Sequence, residues 1–429
     1  MSPDQYRARA GYRRSEAERP MQLGAPSVQA FTAMDFDSPV LRDFLGGGRA
    51  SSAGITVTER LALRNSAFFR AVKLISTSIG MLPTHLHRRS ADGTTEKAKD
   101  HPLYRVLHKQ PNGYQTALEF KAYMQMCALL DGNAYARVVW GVRNGRPAVL
   151  ALLPFKRRTI TPELTEAGEI TFKYNPPGGN PATFTAREVF HFRHPVTTDG
   201  IKGIALLDVA VETLGLAAAA ERALAKMLAK GVLAGGAIQY PNELGDAAYE
   251  RLRDSMNEDH AGVENAGNWF ILEEGGTANP FTTAKDSQTE EMRKRQTEDI
   301  GRFTDLPRPL LMMDETAWGT GIRELGLFLV TYCLMGWFVA WEQAIERSCF
   351  TDAERDADQL YVKFNDGALL RGSMKEQAEF FSKALGNNAA WMIPNEVRAA
   401  FELNPRDDGN DLPKSAGSPP PEPKDPDDD

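Results

Sequence analysis

Apolar residues first recur at helical spacing near Leu61. Leu61, Phe68, Val72, Ile75, Ile79 and Leu82 mark one face of a helix running from about Thr56 to just before Pro83. Thr56 and Glu59 have the spacing of a capping box. The stretch TALEFKAYMQMCALLDG predicts a second helix ending at Gly132. The period then changes. NAYARVVWGV, PAVLALLP, RTITPE, EITFKYN and EVFHFRHP are short β-branched and aromatic runs separated by turn signals such as Asn144-Gly145, which predicts antiparallel sheet. Ile204 to Gly231 reads as one long alanine-rich helix, favoured by alanine's propensity and narrow enough for close helix approach. A small α/β unit follows: GGAIQYP as strand, NELGDAAYERLRDSMNEDHA as helix and NAGNWFILEEG as strand.

Two later segments depart from the amphipathic pattern in opposite directions. Ser287 to Asp305, SQTEEMRKRQTEDIGRFTD, is helical but polar nearly all round. Ser287 and Glu290 could cap it, and Glu290–Lys294, Glu291–Arg295 and Glu298–Arg302 are acid-before-base pairs at i, i+4. Its large apolar residues, Met292, Ile300 and Phe303, are too few for a buried stripe, so it should meet solvent or something wet on most sides. Pro307 and Pro309 then break it into a glycine-permitted loop, LPRPLLMMDETAWGTG. Leu325 to Trp341, LGLFLVTYCLMGWFVAW, carries no charge over 17 residues. At 1.5 Å rise that is roughly 26 Å, marginal against a bilayer core of about 30 Å. Glu324, Glu342 and Glu346 continue the helix, and no Lys/Arg cluster marks a cytoplasmic side. The segment is either a span or, as its flanks favour, a helix covered by protein on every face, with neighbouring subunits helping. The region after Asp358 reads as strand, helix, turn and helix.

Composition narrows the function. Of 429 residues 42% are hydrophobic and 25% charged, ordinary for a globular chain of more than one module. The net charge of −7 is concentrated at the end: residues 406–429 hold eight acids and three bases, so the rest carries about −2. No basic patch stands out, which argues against tight phosphate gripping. The N-terminus has bases but no apolar segment behind them, unlike a signal peptide. Residues 1–56, including GGGRASSAG, read as a flexible arm, and the proline-rich acidic tail as disordered. Cys127, Cys333 and Cys349 lack metal spacing and read as reduced core thiols. His191 and His194 fall on opposite faces of a strand end and suit structural roles better than a metal site. No nucleophile elbow, HExxH or phosphate loop is present, so no catalytic residue, metal site or cofactor is expected.

In order, ALRNSAFFRAVKLISTSIGMLP, HPLYRVLHKQPNG, ALLDGNAYARV, EVFHFRHPVTTDGIKGIALLDVA, AKGVLAGGAIQYP, NAGNWFILEEG, RQTEDIGRFTDLPRPLL, YVKFNDGALLRGSMKEQAEFF and PNEVRAAFELNP resemble the HK97-type portal proteins of tailed phages, prophages and gene transfer agents. The resemblance spans about Leu61 to Pro405. It implies an α+β portal fold: a mixed wing of helices and strands (57–203), stem helix 1 (204–231), a small α/β clip (232–284), stem helix 2 (285–306), a tunnel loop (307–321), a long buried wing helix with a strand (322–364) and a helical crown (365–405). An arm (1–56) and an acidic tail (406–429) flank these.

The resemblance further implies a dodecameric ring at one capsid vertex, contacting major capsid protein, the terminase large subunit and head–tail adaptor proteins. Double-stranded DNA would pass without sequence preference, and the ring would catalyse nothing and meet no membrane. Within it, Arg308, Met312, Met313, Asp314, Glu315 and Trp318 are expected at the channel constriction, and Arg293, Lys294 and Arg295 on the channel-facing stem, though three consecutive residues cannot all face inward. Arg251, Arg253, Glu258 and His260 are expected on the clip facing adaptor or terminase. The alternative of another class is a membrane-anchored oligomer spanning with Leu325–Trp341.

Overall fold

The computed structural model describes residues 47–90, 93–143, 145–229, 236–239, 245–258, 277–280, 285–313, 320–357, 359–365, 374–386, 390–400 and 403–413. Strands β1 (Arg49–Ala50) and β2 (Thr56–Val57) form a hairpin, closed by the Ser51 hydroxyl donating to the Ile55 carbonyl at 2.8 Å. The segment expected to be arm through residue 56 is therefore folded from Arg49 onward. The helix predicted as one piece is two, α1 (Glu59–Arg64) and α2 (Ser66–Met81). Asn65 takes an extended conformation between them, and its side chain accepts from Phe68 N at 3.0 Å. A residue that can cap has ended one helix to start the next. Thr58, not Thr56, caps α1 by accepting from Leu61 N, so Glu59 opens the helix and the Thr56–Glu59 box does not form. Of the predicted face, Phe68, Val72, Ile75, Ile79 and Leu82 are buried and Leu61 is partly so.

Next come β3 (Thr84–Arg89), β4 (Thr95–Lys97), α3 (Pro102–His108) and α4 (Ala117–Asp131). Thr116 and Glu119 form a full capping box on α4. It ends at Gly132 with φ +73°, where a Cβ would come within 2.1 Å of the Gly203 carbonyl oxygen, so only glycine fits. Strands β5 (Asn133–Arg143) and β6 (Arg146–Pro154) pair Arg143 with Arg146, with Gly145 at φ +74° between them; Asn144 of the predicted turn lies outside the described residues. β7 (Ile160–Leu164), β8 (Ile170–Tyr174) and β9 (Ala182–Thr185) make a second sheet, and β10 (Val189–Arg193) joins the first in the order β10-β5-β6.

The alanine-rich helix is also interrupted. α5 (Leu206–Val209) and α6 (Val211–Ala229) are separated at fully buried Ala210. β11 (Gly236–Gln239), α7 (Asp246–Glu258), β12 (Thr277–Pro280) and α8 (Lys285–Thr304) follow. β11 pairs antiparallel with β12, so the chain leaves along α6 and returns along α8. The strand predicted at NAGNWFILEEG lies outside the described residues. After a 3-10 turn (Arg308–Leu311), α9 (Thr320–Phe328), a π turn (Leu329–Leu334) and α10 (Met335–Cys349) form one long helix. α11 (Asp352–Asp356) precedes β13 (Leu360–Phe364), which pairs with β3 in the order β13-β3-β4. α12 (Met374–Ala384) and α13 (Pro394–Ala400) complete the predicted strand–helix–helix succession.

One core joins α2, α4, β5, β10 and α10. Trp341 sits at its centre, stacked on Phe192 at 4.2 Å and packed against Phe190 and Phe120. The three cysteines are buried in it, and burial pushes each thiol up to about 12, so none is a ready nucleophile.

Candidate functional site

The antiparallel pair α6 and α8 is the first feature the fold presents for function. The foot of α6 is fixed: a Cβ on Gly215 would come within 2.2 Å of Ser51 Oγ, and Ser52 N donates to the Glu212 carboxylate at 3.0 Å. Alanines then let α8 come close, with Ala217, Ala220, Glu221 and Leu224 opposite Arg293, Gln296 and Thr297. All three predicted intrahelical pairs form: Glu290–Lys294 at 2.8 Å, Glu291–Arg295 at 2.6 Å and Glu298–Arg302 at 3.5 Å. Arg293 instead crosses to Glu221 at 3.5 Å. Arg293, Lys294 and Arg295 thus fan out to three different carboxylates, and all three remain largely exposed.

Two expectations for this helix change. It begins at Lys285, so Ser287 lies inside the first turn and does not cap it. Its second half is not solvated all round either. Gln296, Ile300 and Thr304 are buried, and a Cβ on Gly301 would lie 2.9 Å from the Leu306 carbonyl oxygen. A close glycine contact and one isoleucine bury this half without an apolar stripe.

The segment expected as an open loop from residue 307 begins as a 3-10 turn held to the body. Leu311 is buried, and Arg70 Nε donates to the Leu310 carbonyl at 3.0 Å. Met313 is partly buried and packs against the core. Met312 adopts φ +62° and is 73% exposed. Arg308 is exposed and pairs with Glu298 at 3.5 Å. Asp314, Glu315 and Trp318 lie outside the described residues. On α7, Arg251 is exposed and its Nε donates to the Ala247 carbonyl one turn back at 3.1 Å. Arg253 and Glu258 share that helix, but their side chains, and the whole of His260, fall outside the described residues.

The long apolar helix has two faces rather than one. Trp337, Phe338, Trp341, Ala344 and Ile345 point into the core. Leu327, Phe328, Tyr332, Met335 and Val339 are exposed, Tyr332 to 67%. The helix is continuous from Glu324 to Cys349 and apolar enough by length and composition to cross a bilayer, yet one face is already spent on this subunit's core. Buried Glu342 bonds the Phe364 N–H and Lys363. A bilayer position would strip that core and strand that carboxylate.

His191 and His194 are occupied separately. His191 Nε2 meets Asn133 Oδ1 at 2.9 Å and its ring stacks on Tyr135. His194 Nδ1 accepts from Val196 N at 3.1 Å, and its ring lies edge-on to Trp337. Sequence reasoning missed a denser cluster, in which Arg157 bonds both Glu59 and Asp131 while Arg158 reaches Asp131 at 3.1 Å. Four charges scattered between residues 59 and 158 leave no sequence signal.

Comparison with known proteins places this geometry. A family model described as phage portal protein matches residues 66–402. The chain is 28% identical over 376 residues to the probable portal protein of Streptomyces phage phiC31, covering 84% of this chain and 79% of that one. It is 28% identical over 361 residues to the portal protein of Enterobacteria phage HK97, covering 83% and 82%. Among solved structures, a chain from the neck of a native gene transfer agent particle computed with C12 symmetry superposes with TM-score 0.55 at 20% identity, covering 85% of this chain and 99% of that one. A crystal structure of an HK97 family phage portal protein from Corynebacterium diphtheriae gives TM-score 0.52 at 20% identity, covering 74% and 98%.

Proposed function

This chain belongs to the phage portal protein family, and on that premise we propose that it is a portal subunit assembling as a dodecameric ring at one capsid vertex. The ring is the channel for packaging, retaining and ejecting double-stranded DNA. It sits in the shell of major capsid protein, docks the terminase large subunit and then the head–tail adaptors, and is structural rather than enzymatic. It works in the virion, at the head–tail junction, after assembly in the host cytoplasm.

The observation that carries the ring is the outer face of the long helix. Leu327, Phe328, Tyr332, Met335 and Val339 form an apolar stripe that nothing among the described residues covers. A second copy supplies that cover. In this reading α6 and α8 are the stem, the β11–α7–β12 unit the clip, and the segment after α8 the tunnel loop with Arg308 and Met312 toward the channel. The stem surface fits a conduit. Arg293, Lys294 and Arg295 are answered by carboxylates, so along this part of α8 DNA meets a mixed surface rather than a row of free cations that would hold phosphates.

The deciding experiment is negative-stain electron microscopy of the purified protein with native mass to count subunits. Rings with a central hole, soluble without detergent, are expected. A species that needs detergent and forms no rings would replace this reading by a membrane-anchored protein spanning with Leu325–Trp341.

A further inference from the structure

Three of the chain's seven histidines meet in one cluster that the channel reading leaves unused. His85 and His87 share a face of β3, and His108 comes from the end of α3. The His85 ring stacks on His108 with centroids 4.9 Å apart and meets His87 edge-on at 6.2 Å. Tyr104 lies 5.1 Å from His108, and His87 stacks on Tyr361 of β13 at 5.2 Å. Lys97 of β4, paired across from His87, brings its Nζ within 3.5 Å of His85 Nε2. An ammonium only donates, so Nε2 accepts and the ring proton sits on Nδ1, toward the Tyr104 hydroxyl 3.5 Å away.

The charges facing this cluster are of one sign. Lys97 comes from β4, Lys109 is the cap residue just after α3, and Lys121 of α4 lies beneath, bonded to the Leu82 carbonyl and Thr84 Oγ1. The acids on neighbouring elements are already engaged. Glu96 and Asp100 pair with Arg88, which alternation places on the opposite face of β3. Glu342 on α10 holds Lys363, the residue opposite His85 in β13. Lys97 and Lys109 are exposed, and among the described residues neither has an acidic partner. Burial first, then Lys97, His108, His87 and Lys121, holds the His85 imidazole down at about 4; burial and Lys97 lower His87, and burial, Lys121, Lys97 and Lys109 lower His108. His108 Nδ1 is buried with no hydrogen-bond partner, while a backbone bond with Thr84 engages the ring and favours its protonated form.

A group of cationic and protonatable side chains without a counter-ion is completed by an anion. We propose that the His85–His87–His108–Lys97 cluster, flanked by Lys109, binds phosphate oxyanions, either the phosphodiester backbone of a nucleic acid or free phosphate. The ammonium groups of Lys97 and Lys109 donate to the oxyanion, and its charge favours proton uptake by the imidazoles beside it. Binding and protonation are linked, so affinity rises as pH falls. This inference does not rest on the channel reading.

The test uses the assembled full-length protein. Duplex binding is followed by anisotropy of a short fluorescein-labelled DNA at about pH 8 and about pH 5.5 at constant salt, in wild type and in Lys97→Glu with Lys109→Glu. Melting of wild type is compared in phosphate and in chloride at equal ionic strength. About tenfold tighter duplex binding at the lower pH, lost in the double variant, would support the nucleic-acid source; a tenfold change corresponds to one unit of imidazole shift. Phosphate-specific stabilisation that grows on acidification, with duplex binding indifferent to the variant, would support the site with free phosphate as its ligand. Melting that does not distinguish phosphate from chloride, together with duplex binding indifferent to the variant, would overturn the proposal. The wild-type phosphate arm needs no substitution, so a folding defect in the variant does not shield the idea.

Discussion

Glu342 Oε1 accepts the backbone N–H of Phe364 at 3.0 Å. One helical turn on, Glu346 Oε1 accepts that of Val362, also at 3.0 Å. Residues i and i+4 on a helix lie about 6 Å apart, close to the roughly 6.7 Å between alternate residues of a strand. Two carboxylates of α10 therefore stand where the carbonyls of a neighbouring strand would stand. β13 is the outer strand of its sheet, so the pair closes an edge that would otherwise offer free N–H groups to another chain.

Replacing both, Glu342→Ala with Glu346→Ala, should cost about 1–3 kcal/mol for each N–H left unpaired in a buried setting. Gln at both positions keeps an acceptor and should cost less. Urea denaturation read beside light scattering checks this. Equal losses for the Gln and Ala pairs would mean that the helix, not the edge, is what the carboxylates support.

A second prediction concerns Trp341, whose indole N–H donates to Gln125 Oε1 at 2.9 Å inside the core. Gln125 Nε2 is buried without a partner, so this amide is half satisfied already. Trp341→Phe removes the remaining bond and should destabilise by roughly 3 kcal/mol, combining lost packing with a stranded acceptor. Adding Gln125→Leu should return part of that loss. A double-mutant cycle by denaturation reads the coupling, and strict additivity would rule it out.

These contacts show what the sequence could and could not reveal. The long helix was legible from its uncharged run, and the strands before residue 200 from their β-branched periods. The helix breaks at Asn65 and Ala210 were not. The pattern of apolar spacing runs through both, and only the local conformation of Asn65, or the burial of Ala210, marks them. Short elements such as β3, β4 and α3 hold too few residues to show a period. The ion pairs within α8 were readable because i, i+4 is a local rule. The crossing of Arg293 to Glu221 joins residues far apart in sequence and was not.

Stability should fall with acid through His191, which burial first and then Arg347 and Arg193 hold down at about 3. The folded protein keeps this imidazole neutral, whereas an unfolded one takes a proton below about 6.5. The sign follows: the contribution is complete above about 6.5 and is lost as pH falls toward about 3, at up to about 1.4 kcal/mol per unit. His191→Gln should make the fall of melting temperature below about pH 6.5 shallower, even if it lowers it throughout; the remaining slope belongs to His85 and the other buried imidazoles held down in the same way. A parallel decline in both proteins would assign the acid sensitivity elsewhere.

The ring reading predicts a separation of folding from assembly at the outer stripe. Tyr332→Glu with Val339→Glu places two charges on a face that is exposed in the single chain, at a folding cost within about 0.5 kcal/mol each. Against a neighbouring subunit those charges would be buried without partners. Native mass should then show monomers or short oligomers with an unchanged circular dichroism spectrum. Intact rings from this variant would move the subunit contact off the long helix.

The pair α6 and α8, the stem of the proposed ring, makes the last prediction. Arg293→Glu with Lys294→Glu reverses two exposed cations whose pairs, with Glu221 and Glu290, lie in solvent and are screened by it, so the fold should tolerate their loss. Rings should still assemble, while DNA content in particles carrying the variant falls through impaired packaging or retention. Unchanged DNA content would remove these residues from the channel surface. A loss alone leaves two causes, since the carboxylate introduced by Arg293→Glu would repel Glu221 and could also splay α8 from α6. Exchanging the pair, Glu221→Arg with Arg293→Glu, separates them. It restores the contact between helices and leaves the net charge of the stem as it was, but moves the cation from α8 to α6. DNA content that recovers with the exchange would assign the defect to stem geometry. DNA content that stays low would mean that the position of the charge on α8 is what DNA meets.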